Sequence, residues 1–152
     1  MSYALLLLGF GVGLICGRWL FCDTRPRPLL NIKLGGTSGG SVFSRSQFAG
    51  LLASVLVQKF PSLIPRIVLE TELTLVFNHP RPRHKIHYMF VPKRDIKNIG
   101  ELSVDERAHI VDLFACMVTC INRLAIHDYK IWSNGPGKQD VAYLHFHLGG
   151  DD

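Results

Sequence analysis

The stretch Gln139-Asp-Val-Ala-Tyr-Leu-His-Phe-His-Leu-Gly-Gly150 constrains the fold more than any other. Read as a β-strand, it alternates faces: Tyr143, His145 and His147 share one, and Leu144, Phe146 and Leu148 the other. The second face is apolar enough to be core. The first carries two imidazoles about 7 Å apart along the strand, at roughly 3.3 Å per residue. Two glycines follow, where a backbone can approach a ligand closely. Taken alone, His145 and His147 fit a half-exposed strand with incidental histidines, and metal binding is the rival reading.

The chain's 152 residues allow one ordinary domain plus an appendage. Tyr3 to Gly17 is uncharged and apolar, and Arg18 interrupts before Trp19-Leu-Phe-Cys22. Counted to Cys22, this run approaches the roughly 20 residues that a bilayer core requires. Arg18 can snorkel and Trp19 suits an interface. A cleaved signal peptide fits less well: no basic residue precedes the run and no small-x-small site follows it. A buried core helix is the third reading. The expected organisation is a single transmembrane anchor over 1–22, a basic Pro/Gly/Ser linker over 23–46 and a folded domain over 47–152.

Charge is unevenly placed. Residues 1–69 hold seven Lys or Arg and one acid, while the rest holds ten basic and eleven acidic side chains. A nucleic-acid binder needs a basic face on its folded domain, and none is evident there. A basic segment beside an apolar helix fits contact with anionic membrane lipid and the positive-inside rule. That places the domain on the cytoplasmic or organellar matrix side. The acid-poor, Arg-bearing N-terminus also fits organelle import, with the mitochondrial inner membrane as one destination. The four cysteines form no disulfide framework. Cys116 and Cys120, four apart on an expected helix, are read as core. With no C-x-x-C there is no case for a structural zinc site, and no metal or cofactor is expected.

An amphipathic helix is expected over 47–60, with Leu51, Leu52, Val55 and Leu56 inward and Ser46 as N-cap. Strands follow over 67–70, 73–78 and 86–91. Ser103 and Glu106 form a capping box that opens a long helix to about Ala125. Its buried stripe is read as Val104, Ala108, Val111, Phe114, Ala115, Val118, Ile121 and Leu124, which puts His109 outside. His84 and His127 are read as solvated, and Arg81, Arg83 and Lys85 as a solvated loop. Strands over 129–133 and 143–148, turned at Asn134-Gly-Pro-Gly137, complete an α+β order with an antiparallel sheet.

Ile64-Pro-Arg-Ile-Val-Leu-Glu70, then His87-Tyr-Met-Phe-Val-Pro-Lys93, the long helix, and Asn134-Gly…Gln139-x-Val141-x-Tyr143-x-His145-x-His147 together resemble the histidine triad (HIT) superfamily. The resemblance covers roughly residues 47–150. It implies a five-stranded antiparallel sheet with two helices, often paired into a ten-stranded dimer. It also implies hydrolysis or nucleotidyl transfer at an α-phosphate of a purine nucleoside monophosphate or related nucleotide. His145 takes the nucleophile position, His147 and Gln139 the phosphate contacts, His87 the supporting position and Asn134 the phosphate-site lining. Two positions depart from the family pattern. Tyr143 stands for the first triad histidine, and His79 for the aspartate that holds the ribose. Two functional readings follow: a membrane-tethered enzyme, or an inactive HIT-fold accessory subunit of a respiratory or photosynthetic membrane complex. Either can be a homodimer or part of a larger assembly.

Overall fold

The computed structural model describes residues 3–32 and 41–151, with side chains placed for 9–30 and 43–151. Positions 33–40, part of the linker expected over 23–46, lie outside the described residues. The elements are α1 (Tyr3–Phe21), β1 (Leu30–Ile32), β2 (Ser41–Phe43), α2 (Arg45–Lys59), β3 (Ile67–Glu70), β4 (Thr74–Asn78), β5 (Ile86–Pro92), α3 (Arg107–Leu124), β6 (Tyr129–Trp132) and β7 (Phe146–Gly150). β1 and β2 form a small hairpin ladder, and the other five strands form one antiparallel sheet in the order β3-β4-β5-β7-β6. The expected α+β fold with a five-stranded antiparallel sheet is therefore present. α1 forms where the anchor was expected, yet among the described residues no helix is long and apolar enough to cross a membrane.

The two sheet faces have different partners. Val76, Phe90 and Leu148 turn to one side and pack with Leu113, Cys116, Met117 and Cys120 of α3. Leu75 and Val91 turn to the other and pack with Val57 of α2 and with Tyr143. Because opposed residues in an antiparallel pair share a face, His87, Met89 and His147 continue that second side beyond the reach of α2. One half of this face is thus covered by helix, and the other half is open as a cleft.

Three expectations about faces are corrected. In α3 the buried residues are Leu113, Cys116, Met117 and Cys120, while Val111, Phe114, Val118 and Leu124 are exposed, as is Val104 on the turn before it. His109 is half-buried, and its Nδ1 is enclosed without a hydrogen-bond partner. In α2 the inward positions are Gly50, Ser54 and Val57, with Leu52 and Leu56 exposed. The N-cap of α2 is Ser44, two residues earlier than the expected Ser46. The Ser103–Glu106 capping box forms as read, on a short 3₁₀ turn that leads into α3.

β7 starts at Phe146, so Tyr143 and His145 precede the strand instead of alternating within it. The glycines that end it meet protein. A Cβ on Gly149 would lie 2.5 Å from the His84 ring, and one on Gly150 would lie 2.9 Å from Ile126. The space beside Gly149 is filled by His84, and that beside Gly150 by Ile126 of the α3-side core.

Candidate active site

A cleft of about 520 Å³ opens on the uncovered half of the sheet. His79 and Arg81 come from the segment after β4, His87 from β5, Trp132 and Asn134 from the end of β6, and His145 and His147 from β7 and its approach. His147 faces Trp132 and Met89 directly across the two neighbouring strands. Its ring stacks on the Trp132 indole with centroids 4.8 Å apart and planes 10° apart. His79 stacks on His87 at 4.2 Å and 6°.

The hydrogen bonds fix where each ring carries its proton. The Nδ1 of His145 is 2.7 Å from the Tyr143 carbonyl oxygen. A carbonyl can only accept, so Nδ1 holds the hydrogen and Nε2 keeps its lone pair. The Arg83 backbone N–H donates to His87 Nδ1 at 3.1 Å, which leaves the His87 hydrogen on Nε2. That Nε2 lies 3.1 Å from His147 Nδ1, so His87 donates and His147 accepts. The remaining His147 hydrogen is then on Nε2. The Arg81 backbone N–H donates to His79 Nδ1 at 3.0 Å, which puts the His79 hydrogen on Nε2 as well.

For His87, His147 and His145 these assignments need neutral rings, and their surroundings favour them. Burial, reinforced by His79, His84 and Arg83, pulls His87 down to about 4. Burial, then His145, His87, His79 and Arg83, pulls His147 down to about 3. Burial also lowers His145, against the opposing pull of the Tyr143 carbonyl. The cleft therefore holds one imidazole lone pair, on His145, beside an imidazole N–H donor, on His147. That pairing suits nucleophilic attack on an electrophile whose oxygens gain negative charge.

His79, His87 and His147 also bring ring nitrogens within 4.8 Å of one another, as a metal site would. Their hydrogen bonds argue against that use. His79 and His87 each spend Nδ1 on a backbone N–H, so each presents a proton at Nε2 where a metal needs a lone pair.

The remaining expected site residues are placed differently. Asn134 lines the cleft. Gln139 is buried, its Nε2 without a partner among the described atoms, and it does not line the cleft. Tyr143 is 2% exposed, lies in the α2-side core and donates its hydroxyl to the Pro92 carbonyl at 2.6 Å. Its side chain is thus committed to packing. His84, read as solvated, sits beside the site: its Nδ1 meets Asp151 at 2.8 Å and its ring stands edge-on to His87. Trp132 escaped the sequence reading. Its signal was its place opposite a triad histidine, which is visible only once the strand register is known.

An antiparallel five-stranded sheet with two helices and this histidine constellation defines a HIT-fold protein. Residues 61–152 match the family described as "Scavenger mRNA decapping enzyme C-term binding", and the chain belongs to it. It is 29% identical over 85 residues to an uncharacterised HIT-like protein of Methanocaldococcus jannaschii, covering 55% of this chain and 66% of that one, just under two thirds. It is 29% identical over 86 residues to an uncharacterised HIT-like protein of Helicobacter pylori, covering 53% and 79%. Two solved structures share the fold. A HIT family hydrolase from Clostridium thermocellum superposes with a TM-score of 0.58 at 23% identity, over 64% of this chain and 90% of that one. One from Legionella pneumophila gives 0.57 at 24%, over 64% and 91%.

Proposed function

We propose that the protein is a membrane-tethered nucleotide hydrolase or nucleotidyl transferase acting at an α-phosphate through His145. The observation that carries this reading is the His145 proton position: Nδ1–H is held by the Tyr143 carbonyl and Nε2 is free toward the cleft. Nε2 attacks the α-phosphorus, a P–N bond forms and the leaving group departs with its electron pair. His147 Nε2–H hydrogen-bonds the phosphoryl oxygen as charge builds there. Water then cleaves the P–N bond and restores His145. His79 stands where the family places a ribose-binding acid. It offers a hydrogen-bond donor, so the nucleoside is held without paired acceptors for a vicinal diol.

Membrane tethering is proposed through α1. It is supported by the apolar run before Arg18 and by the exposed Phe48, Leu52 and Leu56 on α2. The proposed location of the domain is the cytoplasmic or organellar matrix side of that membrane, with the mitochondrial inner membrane as one destination. A homodimer is proposed through α3 and the 3₁₀ turn that leads into it, whose exposed Val104, Ala108, Val111, Ala115 and Val118 recur at alternating spacings of four and three, the pattern of a helix–helix seam. A second reading, an inactive accessory subunit of a membrane complex, draws on the commitment of Tyr143 to the core.

The deciding assay uses the full chain in detergent with an adenosine phosphoramidate, and His145→Ala as control. Turnover that His145→Ala abolishes is the expected result. No turnover, with no binding of a nucleoside monophosphate, overturns the enzyme reading in favour of the subunit. Carbonate extraction of native membranes tests the tether; release into the soluble fraction defeats it.

A further inference from the structure

We propose that Arg27, far upstream of the family match, is a positioning residue for the nucleophile; the inference rests on His145 being that nucleophile. His145 owes its proton position to the Tyr143 carbonyl, and residues 142–144 lie outside the sheet, so no strand ladder fixes that carbonyl. What fixes the segment is a set of contacts from elsewhere. The Ala142 N–H donates to Ser46 O at 2.9 Å, and the Leu144 N–H donates to Ile96 O at 2.6 Å. The Tyr143 hydroxyl is tied to Pro92. The Ala142 carbonyl accepts from Arg27 Nη1 at 2.5 Å.

That last contact is a built one. Arg27 pairs through Nη2 with Asp95, and both side chains are 1% exposed. The other Asp95 oxygen accepts the Arg25 backbone N–H at 2.7 Å, so the carboxylate is held from two sides. Gly50 leaves the space: a Cβ there would sit 2.4 Å from the Ala142 oxygen and 3.0 Å from Arg27 Nη1. A guanidinium can serve Asp95 and Ala142 at once because its nitrogens form a rigid planar fork. The irregular segment 24–29 between α1 and β1, a strap that carries Arg25 and Arg27, is thereby linked through one carbonyl to the peptide that orients the nucleophilic ring.

Arg25 provides the control. It lies in the same strap, but its guanidinium bonds buried Glu106 and the Glu101 carbonyl instead of the 142–144 segment. The test compares Arg27→Gln and Arg25→Gln in the full chain, by phosphoramidate kinetics and by ¹⁵N spectra of the histidine rings. Arg27→Gln is expected to lower kcat roughly ten- to a hundredfold with KM held within about twofold, as misplacement of a reacting group does. It is also expected to turn the His145 signal from the single Nδ1–H tautomer to a mixture. Arg25→Gln is expected to lower the thermal midpoint and leave kcat and the tautomer unchanged. Gly50→Ala, which crowds the same contact, is expected to follow Arg27→Gln. The proposal is overturned if Arg27→Gln keeps its tautomer, or if Arg25→Gln reproduces the loss of kcat. If the wild-type chain does not turn over, the hydrolase reading fails by itself and the tautomer alone decides the positioning.

Discussion

At the scale of residues, the cleft is governed by imidazoles kept neutral by burial. An unfolded histidine titrates near 6.5, whereas folded His87 and His147 are pulled to about 4 and about 3, and His145 is lowered too. As pH falls below about 6.5 the unfolded chain takes up protons that the folded chain refuses, and stability is lost progressively. Each unit of depression represents about 1.4 kcal/mol when its full range is traversed. Carboxylates held low, such as Glu106 beside Ser103 and Arg25, lose their contribution only nearer their own unfolded value of about 4. The window from pH 6.5 to 4.5 therefore isolates the histidines. Urea titrations are expected to show a lower midpoint at pH 4.5 than at 7, and a smaller difference in His87→Asn. Equal midpoints at both pH values in the wild type would refute buried neutral rings. The same logic sets the acid limb of kcat/KM: His145 must be unprotonated to attack, and burial lowers it, so the limb should lie below the free-imidazole value of about 6.5. A limb centred at 7 or above would contradict the cleft electrostatics.

At the scale of elements, α3 carries two apolar stripes, and only one faces the sheet. Leu113, Cys116, Met117 and Cys120 follow helical spacing as well as Ala108, Val111, Ala115 and Val118 do, and the periodicity alone does not rank them. The inner stripe wins because its larger Leu and Met fill the layer over Val76, Phe90 and Leu148. Leu113→Ala should accordingly cost about 3 kcal/mol by chemical denaturation, for a buried leucine that leaves a cavity. Val111, 62% exposed, should behave in the opposite way. Val111→Glu is expected to change monomer stability by less than about 0.5 kcal/mol while converting a dimer to a monomer in light scattering. A dimer that survives Val111→Glu would remove α3 from the interface. The same contrast explains what was legible. Short, β-branched strands and the capping box declare themselves through local chemistry, and the ordered His-x-His pattern brings its strand neighbours with it. The inward face of α3, the turn of Tyr143 into the core and the approach of Trp132 to His147 depend on long-range pairing, which no local window of sequence contains.

At the scale of the whole molecule, the strap alters what counts as the folded unit. The family match begins at residue 61, yet Arg25 and Arg27 contribute the cationic halves of ion pairs with Glu106 and Asp95, which are each 1% exposed. Lys59 likewise pairs with Asp23. Three of the basic side chains that give residues 1–69 their positive charge are therefore engaged with the protein, which leaves fewer for lipid. A buried carboxylate without its cation must either stay charged in a poorly hydrated site or take up a proton, and both are costly. Removing residues 1–40 leaves Asp95 in that position. The shortened form should be less stable than the full chain by about 3 kcal/mol or more, a large share of the 5–15 kcal/mol typical of a domain. Asp95→Asn offers a separate check, because it removes the stranded charge while keeping the shape. In the shortened form it should recover part of the loss, and in the full chain it should destabilise by leaving Arg27 unpaired. This reversal of sign distinguishes a buried ion pair from simple loss of packing area, which Asp95→Asn would not relieve. If the shortened and full chains unfold at the same urea concentration with the same m-value, the strap is a passive tether and its ion pairs contribute nothing to the fold.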